Sequence, residues 1–401
     1  MRICLLAHSG STTATLSTIA SALAATPGVE IVVIDSSDLN LIAVTPVRWP
    51  GPEAVIRVSA REIGLVKIGG ERLWGLRLAR RLNRLRPVAA RQVASARRLL
   101  ADLNVDLIVT CNDTTPGSIA MLRGAASLGI ASVLVQEGPF VAVGPSQVRK
   151  RHRLVLAASA DYAERYVRSG ASPDAVRIVG IPRFDALPAA RTVKREGAPR
   201  LLYVFQPFVA QRKVHRAPAL ATLIALAGDL NALHRSRPIE LVVRAHPRAD
   251  AATIAAFTAA LDLPFVLDDG GEPFPQAALG CDVAVGHYSI GLLECVALRV
   301  PALCWPLPMS SFIDRGEAVK QAWIADTLPS PDAGPAFRMA AEAYLDTGIL
   351  APGEIDISAE TGRLDKQATR HACAAILEVG ATAISDQGTA SPSASASNTA
   401  R

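Results

Sequence analysis

Short runs rich in valine, isoleucine and leucine alternate with longer stretches of helical composition along most of the chain. RICLLAH (2–8) passes into SGSTTATLSTIASALAAT, a Ser/Thr-rich loop entering a helix. EIVVID (30–35), DLIVTCND (106–113), ASVLVQEG (131–138), LVLAAS (154–159) and AVRIVGIPRFDAL (175–187) follow. Strands that alternate with helices build parallel sheets from βαβ units, with helices on both faces. The runs are close to continuously apolar, as strands buried on two sides are. Half of the residues are hydrophobic but only 4% are aromatic, so Ala, Val and Leu must fill the interior.

The pattern restarts at PRLLYVFQP (199–207), after the polar RTVKREGA, and continues through IELVVRAHPR, LPFVLDD, CDVAVGHYS and VPALCWP. A chain of 401 residues exceeds one ordinary core. We expect an α/β protein of two lobes, residues 1–190 and 191–383, each a parallel sheet. The Ser/Ala-rich end, residues 384–401, is expected to be a disordered tail. The six cysteines lack CxxC spacing and sit among apolar neighbours, reading as reduced core residues and not as a zinc site or disulfide frame. The apolar run after Met1 is too short for a signal peptide. APALATLIALAGDLNAL (217–233) falls short of a membrane span and carries Asp229. A cytoplasmic protein is expected, with peripheral contact to the inner membrane face left open, and the oligomeric state is not indicated.

The formal net charge is +6 and the pI about 9.2. That excess suits phosphate-bearing ligands or an anionic surface. Nucleic acid is not an expected partner, since the charge is diluted and no zinc-finger, RRM or basic-zipper pattern occurs. The charge concentrates in one place: residues 72–98 hold nine arginines and no acidic residue. Trp74, Leu78, Leu82 and Leu85 recur there at helical spacing until Pro87 interrupts. A solvated helix face is the preferred reading, with membrane or anionic-polymer contact the alternatives.

Open α/β sheets bind ligands outside the carboxyl ends of their strands, and polar residues accumulate at those ends. In the first lobe they are His8 and Ser9, Asp113 with Thr114, and Glu137. In the second they are Gln206, Arg244 with His246, and His287 with Ser289. His8 and Ser9 begin a stretch that either caps a helix or meets a phosphate or sugar. Asp113 is read equally as a helix cap or a chemical group. Glu137, ending an apolar strand before Gly138 and Pro139, is read as a general base or hydroxyl-binding group. Arg244 suits bidentate phosphate binding and His246 donation to a nearby oxygen. Arg183 and Asp185 are expected to pair with each other, in a hinge, a cap or a ligand contact. Ser289 and Gly291 stand where a helix begins, so its positive end would meet a phosphate. Glu294, a turn further on, would accept the hydroxyls of a ribose.

Several stretches resemble a known group. DLIVTCNDTTPGSIAMLRGAASLGIASVLVQEG resembles the segment of non-hydrolysing UDP-N-acetylglucosamine 2-epimerases that reads G-D-T-T-S, a helix, then H-x-E-A-G. VRIVGIPRFDAL is similar to the G-N-P-x-x-D and G-x-P-R-x-D segments of these enzymes and of CDP-glycerol glycerophosphotransferases. VVRAHPR resembles their H-P segment, and DVAVGHYSIGLLECVALRVPAL their D-Y-S-S or D-S-G-G segment with its carboxylate-bearing helix. The likeness runs in order over most of residues 100–310. It implies a GT-B fold: two Rossmann-like lobes, an interlobe cleft, an N-terminal acceptor lobe and a C-terminal lobe for a nucleotide-activated donor of UDP or CDP type. Carried over by position, Asp113 and Glu137 belong to the N-lobe side of the active site. Arg244, His246, Ser289 and Glu294 hold the donor, and His287 lines its phosphate pocket. The epimerases' opening G-T-R-P-E is AHSGST here, their H-R is FQPF, and their paired glutamates are Glu294 and Cys295. The glycine-preceding histidine of the CDP-glycerol enzymes is Glu137. The expected activity is transfer of a sugar or alditol phosphate from the nucleotide donor to a hydroxyl acceptor in surface-polysaccharide synthesis. Glu137 is the expected base, and neither a metal nor a cofactor is called for. A sugar-nucleotide 2-epimerase, and a non-catalytic nucleotide- or polysaccharide-binding protein serving an assembly machine, remain the alternatives.

Overall fold

The computed structural model describes residues 1–40, 47–66, 78–79, 81–83, 85–138, 146, 148–207, 209, 216–287, 289–305 and 333–389. Tyr288, residues 72–77, 80 and 84 of the arginine-rich segment, and residues 390–401 of the expected tail lie outside them.

The first unit is built on a seven-stranded sheet. Its strands are β1 (Arg2–Ala7), β2 (Glu30–Asp35), β3 (Ala54–Arg57), β4 (Leu107–Thr110), β5 (Ala131–Val135), β6 (Leu154–Ala157) and β7 (Val176–Ile178). They are parallel in the order β3-β2-β1-β4-β5-β6-β7, with Leu5 beside Val33 on one side and Val109 on the other. Alternate residues of β1 serve two cores, because successive side chains leave a strand on opposite faces. Ile3, Leu5 and Ala7 pack with Leu16, Ile19 and Leu23 of α1 (Gly10–Ala24). Cys4 and Leu6 pack with Ala96 and Leu100 of α2 (Arg86–Asp102) and Met121 of α3 (Pro116–Ser127). This double burial is why the run reads as continuously apolar.

Local signals set the helix starts. Ser9 is the N-cap of α1, and its backbone N–H donates to Thr12 Oγ1 at 3.4 Å. Pro87 falls in the first turn of α2, where its missing N–H costs nothing, so the residue that interrupts the amphipathic run becomes a helix start. Gly124 of α3 faces the α2 backbone, and a Cβ there would lie 2.8 Å from the Arg97 nitrogen. The unit continues with α4 (Ala160–Arg168) and the one-turn α5 (Pro182–Asp185).

The second unit holds a five-stranded parallel sheet of β8 (Arg200–Phe205), β9 (Glu240–Ala245), β10 (Phe265–Asp268), β11 (Val283–Gly286) and β12 (Ala302–Cys304). The order is β10-β9-β8-β11-β12. Its helices are α6 (Arg216–Ser236), α7 (Ala251–Thr258), α8 (Phe274–Leu279), α9 (Ile290–Ala297) and α10 (Ala333–Thr347). Leu226, Leu230 and Leu233 of α6 join Phe337, Ala341 and Leu345 of α10 over Leu201, Tyr203 and Phe205. Arg191 ties this unit's entrance together: its guanidinium donates to the carbonyls of Gly348, Leu279 and Cys281, each at 2.6 Å.

After α11 (Ser358–Thr361) the chain ends in α12 (Ala368–Thr389). This corrects the expected division of the chain. The switch to the second unit, at Ala186, falls near the expected 190, but from Glu360 to Thr389 the chain groups again with the first unit. Ala372, Cys373, Ala375, Ile376 and Val379 of α12 complete the core above Leu107, Val133 and Leu156. Helix α12 continues through Thr389, so the first residues of the segment expected as a tail are helical. No helix of the described residues is long and apolar enough to cross a membrane.

Candidate functional site

Each sheet reverses its strand order once, between β1 and β4 in the first unit and between β8 and β11 in the second. Loops diverge at such a switch point and leave a crevice outside the strand ends. His8 and Ser9 follow β1 and Asp113 follows β4, while Gln206 follows β8 and His287 and Ser289 follow β11. Glu137 leaves β5 and Arg244 sits near the end of β9, each one strand removed from its switch point.

In the first unit the unusual chemistry gathers at Glu137. Its Oε2 is buried without a hydrogen-bond partner. Burial penalises the charged form and pushes the carboxyl up to about pH 7, against the pull of the Arg183 guanidinium. Thr15 Oγ1 of α1 donates to the Glu137 carbonyl at 3.2 Å, which anchors the turn after β5. At the end of β4, burial and then the Glu137 charge raise the Cys111 thiol well above its ordinary range. A carboxylate half-protonated near neutrality, with one oxygen bonded to nothing, suits proton transfer.

Arg183 and Asp185 do not pair as expected. Two residues apart on one helical turn they point in different directions; Arg183 acts on Glu137, and Asp185 Oδ2 accepts from the Thr369 N–H at 2.6 Å, in the first turn of α12. His8 is buried, its Nδ1 has no partner, and burial lowers its pKa to about 4, so the ring is neutral at physiological pH. Asn40 Nδ2 donates to the His8 carbonyl at 2.7 Å and holds the loop after β1.

Asp113, read from the sequence as a chemical group or a cap, does not cap the helix and is held in a buried ion pair. Arg149 grips its carboxylate with a two-pronged fork, Nε to Oδ2 at 2.9 Å and Nη2 to Oδ1 at 2.6 Å. Both side chains are 3% exposed. Burial alone would raise the Asp113 pKa, but its bonds to His152 and Arg149 bring it below the ordinary carboxylate range. The network continues through Arg149 to Ser169 Oγ at 2.6 Å and the face of Tyr166, and through His152 to Ser132 Oγ at 2.9 Å. The cap of α3 is Thr115, whose side chain accepts from Ser118 N, with Asn112 Oδ1 accepting from Thr114 and Thr115.

In the second unit Ser289 is the N-cap of α9. Its hydroxyl accepts from Gly291 N at 3.1 Å and from Gln206 Nε2 at 2.9 Å, which binds the β8 and β11 loops to each other. Gly291 is required by space: a Cβ would stand 2.8 Å from the Phe274 ring of α8. Glu294 is buried one turn into α9. Arg244 and Asp268 are register partners on β9 and β10 and form an ion pair, while Arg244 Nη2 donates to the Glu272 carbonyl at 2.6 Å. His246 Nδ1 accepts from Arg248 N at 3.1 Å, which closes the HPR turn and leaves the ring proton on Nε2.

His287 corrects another expectation. It is 1% exposed, bonded through Nε2 to the Tyr203 hydroxyl at 3.0 Å and through Nδ1 to the Trp305 carbonyl at 2.7 Å. Burial lowers its pKa to about 4, so a neutral ring donates to Trp305 and accepts from Tyr203. The His287 ring is spent in the core, bonded to Tyr203 and Trp305. Among the described residues no group of three or more His, Cys, Asp and Glu is placed to hold a metal ion.

No family model and no curated protein sequence matches the chain. Solved structures do. A putative UDP-N-acetylglucosamine 2-epimerase from Listeria monocytogenes is similar at 14% identity over 95% of this chain and 97% of its own, with a TM-score of 0.63. The UDP-GlcNAc 2-epimerase of Neisseria meningitidis, solved with UDP-GlcNAc bound, matches at 12% identity over 94% and 100%, with a TM-score of 0.59. The lipopolysaccharide outer core galactosyltransferase WaaB matches at 12% identity over 96% and 100%, with a TM-score of 0.50. The chain has the GT-B fold.

Within the GT-B units, strand-end polarity located the loops but not the partners. The sequence reading missed Arg149 and His152, which neutralise and hold Asp113; their only signal was the basic run RKRHR (149–153). It also missed Asp268, which engages Arg244, and Phe274, whose ring a Cβ at position 291 would crowd. Gln206 and Ser289 it placed at strand ends of the second lobe, and the pairing of β8 with β11 brings them together.

Proposed function

We propose that this GT-B protein is a sugar-nucleotide enzyme that transfers a sugar or alditol phosphate from a nucleotide donor to a hydroxyl acceptor. The observation that carries the reading is Glu137, a carboxylate of the first unit with a buried, unpartnered oxygen and a pKa near 7. In sugar transfer, Oε2 takes the acceptor's hydroxyl proton as the acceptor oxygen bonds to the anomeric carbon. The bond from that carbon to the phosphate oxygen breaks, and the nucleoside diphosphate leaves with the electron pair. Arg183 keeps part of the base population ionised at neutral pH. The neutral His8 offers a hydrogen-bonding nitrogen beside the helix start at Ser9. Donor binding is assigned to the second unit, with the α9 start at Ser289 and Gly291 and the nearby Arg244 and His246 for phosphate oxygens, and Glu294 for ribose.

Support for the donor class comes from fold likeness to enzymes solved as UDP-GlcNAc epimerases and a galactosyltransferase. The same likeness favours a second reading, sugar-nucleotide 2-epimerisation. A turnover assay with labelled UDP- and CDP-activated donors, run with and without hydroxyl acceptors, separates the two. Acceptor-dependent release of nucleotide that is lost in Glu137→Gln supports transfer. Conversion of UDP-GlcNAc without acceptor supports epimerisation, and nucleotide binding without turnover of any donor removes both.

A further inference from the structure

Helices α2 and α3 leave an open groove of about 980 Å³ between them on the outside of the first unit. Ala90, Val93 and Ala94 of α2 form its apolar floor, and Arg97, Arg98 and Arg123 stand along it. Arg97 and Arg98 are exposed, and no carboxylate pairs with either among the described residues. Helix α3 carries no acidic residue, and in the sequence residues 72–98, which end on Arg97 and Arg98, hold nine arginines and no acidic residue. Two of the protein's exposed large apolar side chains sit in the same stretch, Leu78 at 40% and Leu85 at 49% exposure. Leu85 precedes Ala89 and Val93 by one and two turns and continues their stripe.

Arginine heads over a shallow apolar floor, flanked by exposed leucines, match an interface with charge on the outside and hydrocarbon beneath. A second copy of the chain would bring arginine against arginine. We propose that the α2–α3 groove, with the exposed Leu78 and Leu85, docks this protein on an anionic phospholipid surface. Lipid phosphates meet Arg97, Arg98 and Arg123, and the leucines and alanines enter the headgroup boundary. The surface is remote in sequence from Glu137 and Ser289, and the proposal stands whether or not the transferase reading holds.

The test is co-sedimentation of the full chain with vesicles of equimolar phosphatidylglycerol and phosphatidylcholine, against pure phosphatidylcholine. Binding to the anionic vesicles alone is expected, and it should fall steeply as salt rises from about 0.05 M to about 0.5 M. The triple variant Arg97→Glu/Arg98→Glu/Arg123→Glu should bind about 100-fold more weakly. Leu78→Ser/Leu85→Ser, which changes no charge, should also weaken binding and supplies the answer if the triple variant does not fold. Equal binding to both vesicle types, or unchanged binding in a folded triple variant, overturns the proposal. So does retention on an immobilised anionic polysaccharide with no vesicle binding, which would assign the groove to a polymer.

Discussion

Glu137 and Asp113 both follow apolar strands of the same sheet, yet burial leaves them in opposite states. Asp113 has a forked arginine and stays ionised; Glu137 has one oxygen with no partner and is held near neutrality. Glu137→Gln should abolish acceptor-dependent turnover by at least about 100-fold. The wild-type rate should rise with pH and level off above about 7, as the base loses its proton. The stability effect has the opposite sign. A carboxyl whose folded pKa is raised from 4.5 to about 7 favours the folded state below the lower value and loses that advantage as pH rises between the two. Above pH 7 the glutamine variant should therefore be more stable than wild type, by up to about 3 kcal/mol. Urea denaturation at pH 5 and pH 8 checks it, since a merely structural glutamate would lose stability at both. Arg149→Met strands the Asp113 charge and should cost about 3–5 kcal/mol. The same denaturation series reads that loss. In the sequence these two carboxylates look alike, because the arginine that separates them lies 36 residues downstream of Asp113.

At the scale of elements, the α9 start depends on one cap and one glycine. Ser289→Ala removes the acceptor for both Gly291 N and Gln206 Nε2 and should cost about 1 kcal/mol. Gly291→Ala pushes a methyl into the Phe274 ring and should cost about 1–3 kcal/mol. Adding Phe274→Leu should recover much of that loss, and a thermal melt of the single and double variants decides it; a Gly291→Ala protein as stable as wild type would show that the ring yields. The helix starts at Ser9 and Ser289 were legible in the sequence, since such caps act on amides within a few residues; Thr115 and Pro87 were not read as starts, although their signals are equally local. The place of His287 was not legible. Its partners Tyr203 and Trp305 come from β8 and from the end of β12, and only the pairing of β11 with both strands makes it a core residue.

At the scale of the molecule, the first unit is assembled from both ends of the chain. Helix α12 supplies Ala372, Cys373, Ala375, Ile376 and Val379 to a core begun by β1 and α1. A chain ended after residue 367 should lose the cooperative unfolding of its first unit and become protease-sensitive there. Limited proteolysis with mass analysis reads the result; a protected N-terminal fragment would contradict the assignment of α12.

The alternation of apolar runs with helices was enough to indicate two parallel sheets, and the polar residues at strand ends were enough to mark the loops outside those ends. Both follow from local periodicity and from the geometry of βαβ units, which any window of the chain expresses. Which polar residue is spent in the core and which is left with an unused oxygen was decided only by the tertiary structure. So were the sheet that α12 completes and the pairing of Arg244 with Asp268. Hydrogen bonding and burial join residues tens to hundreds of positions apart, and the state of a buried charge depends on those distant partners.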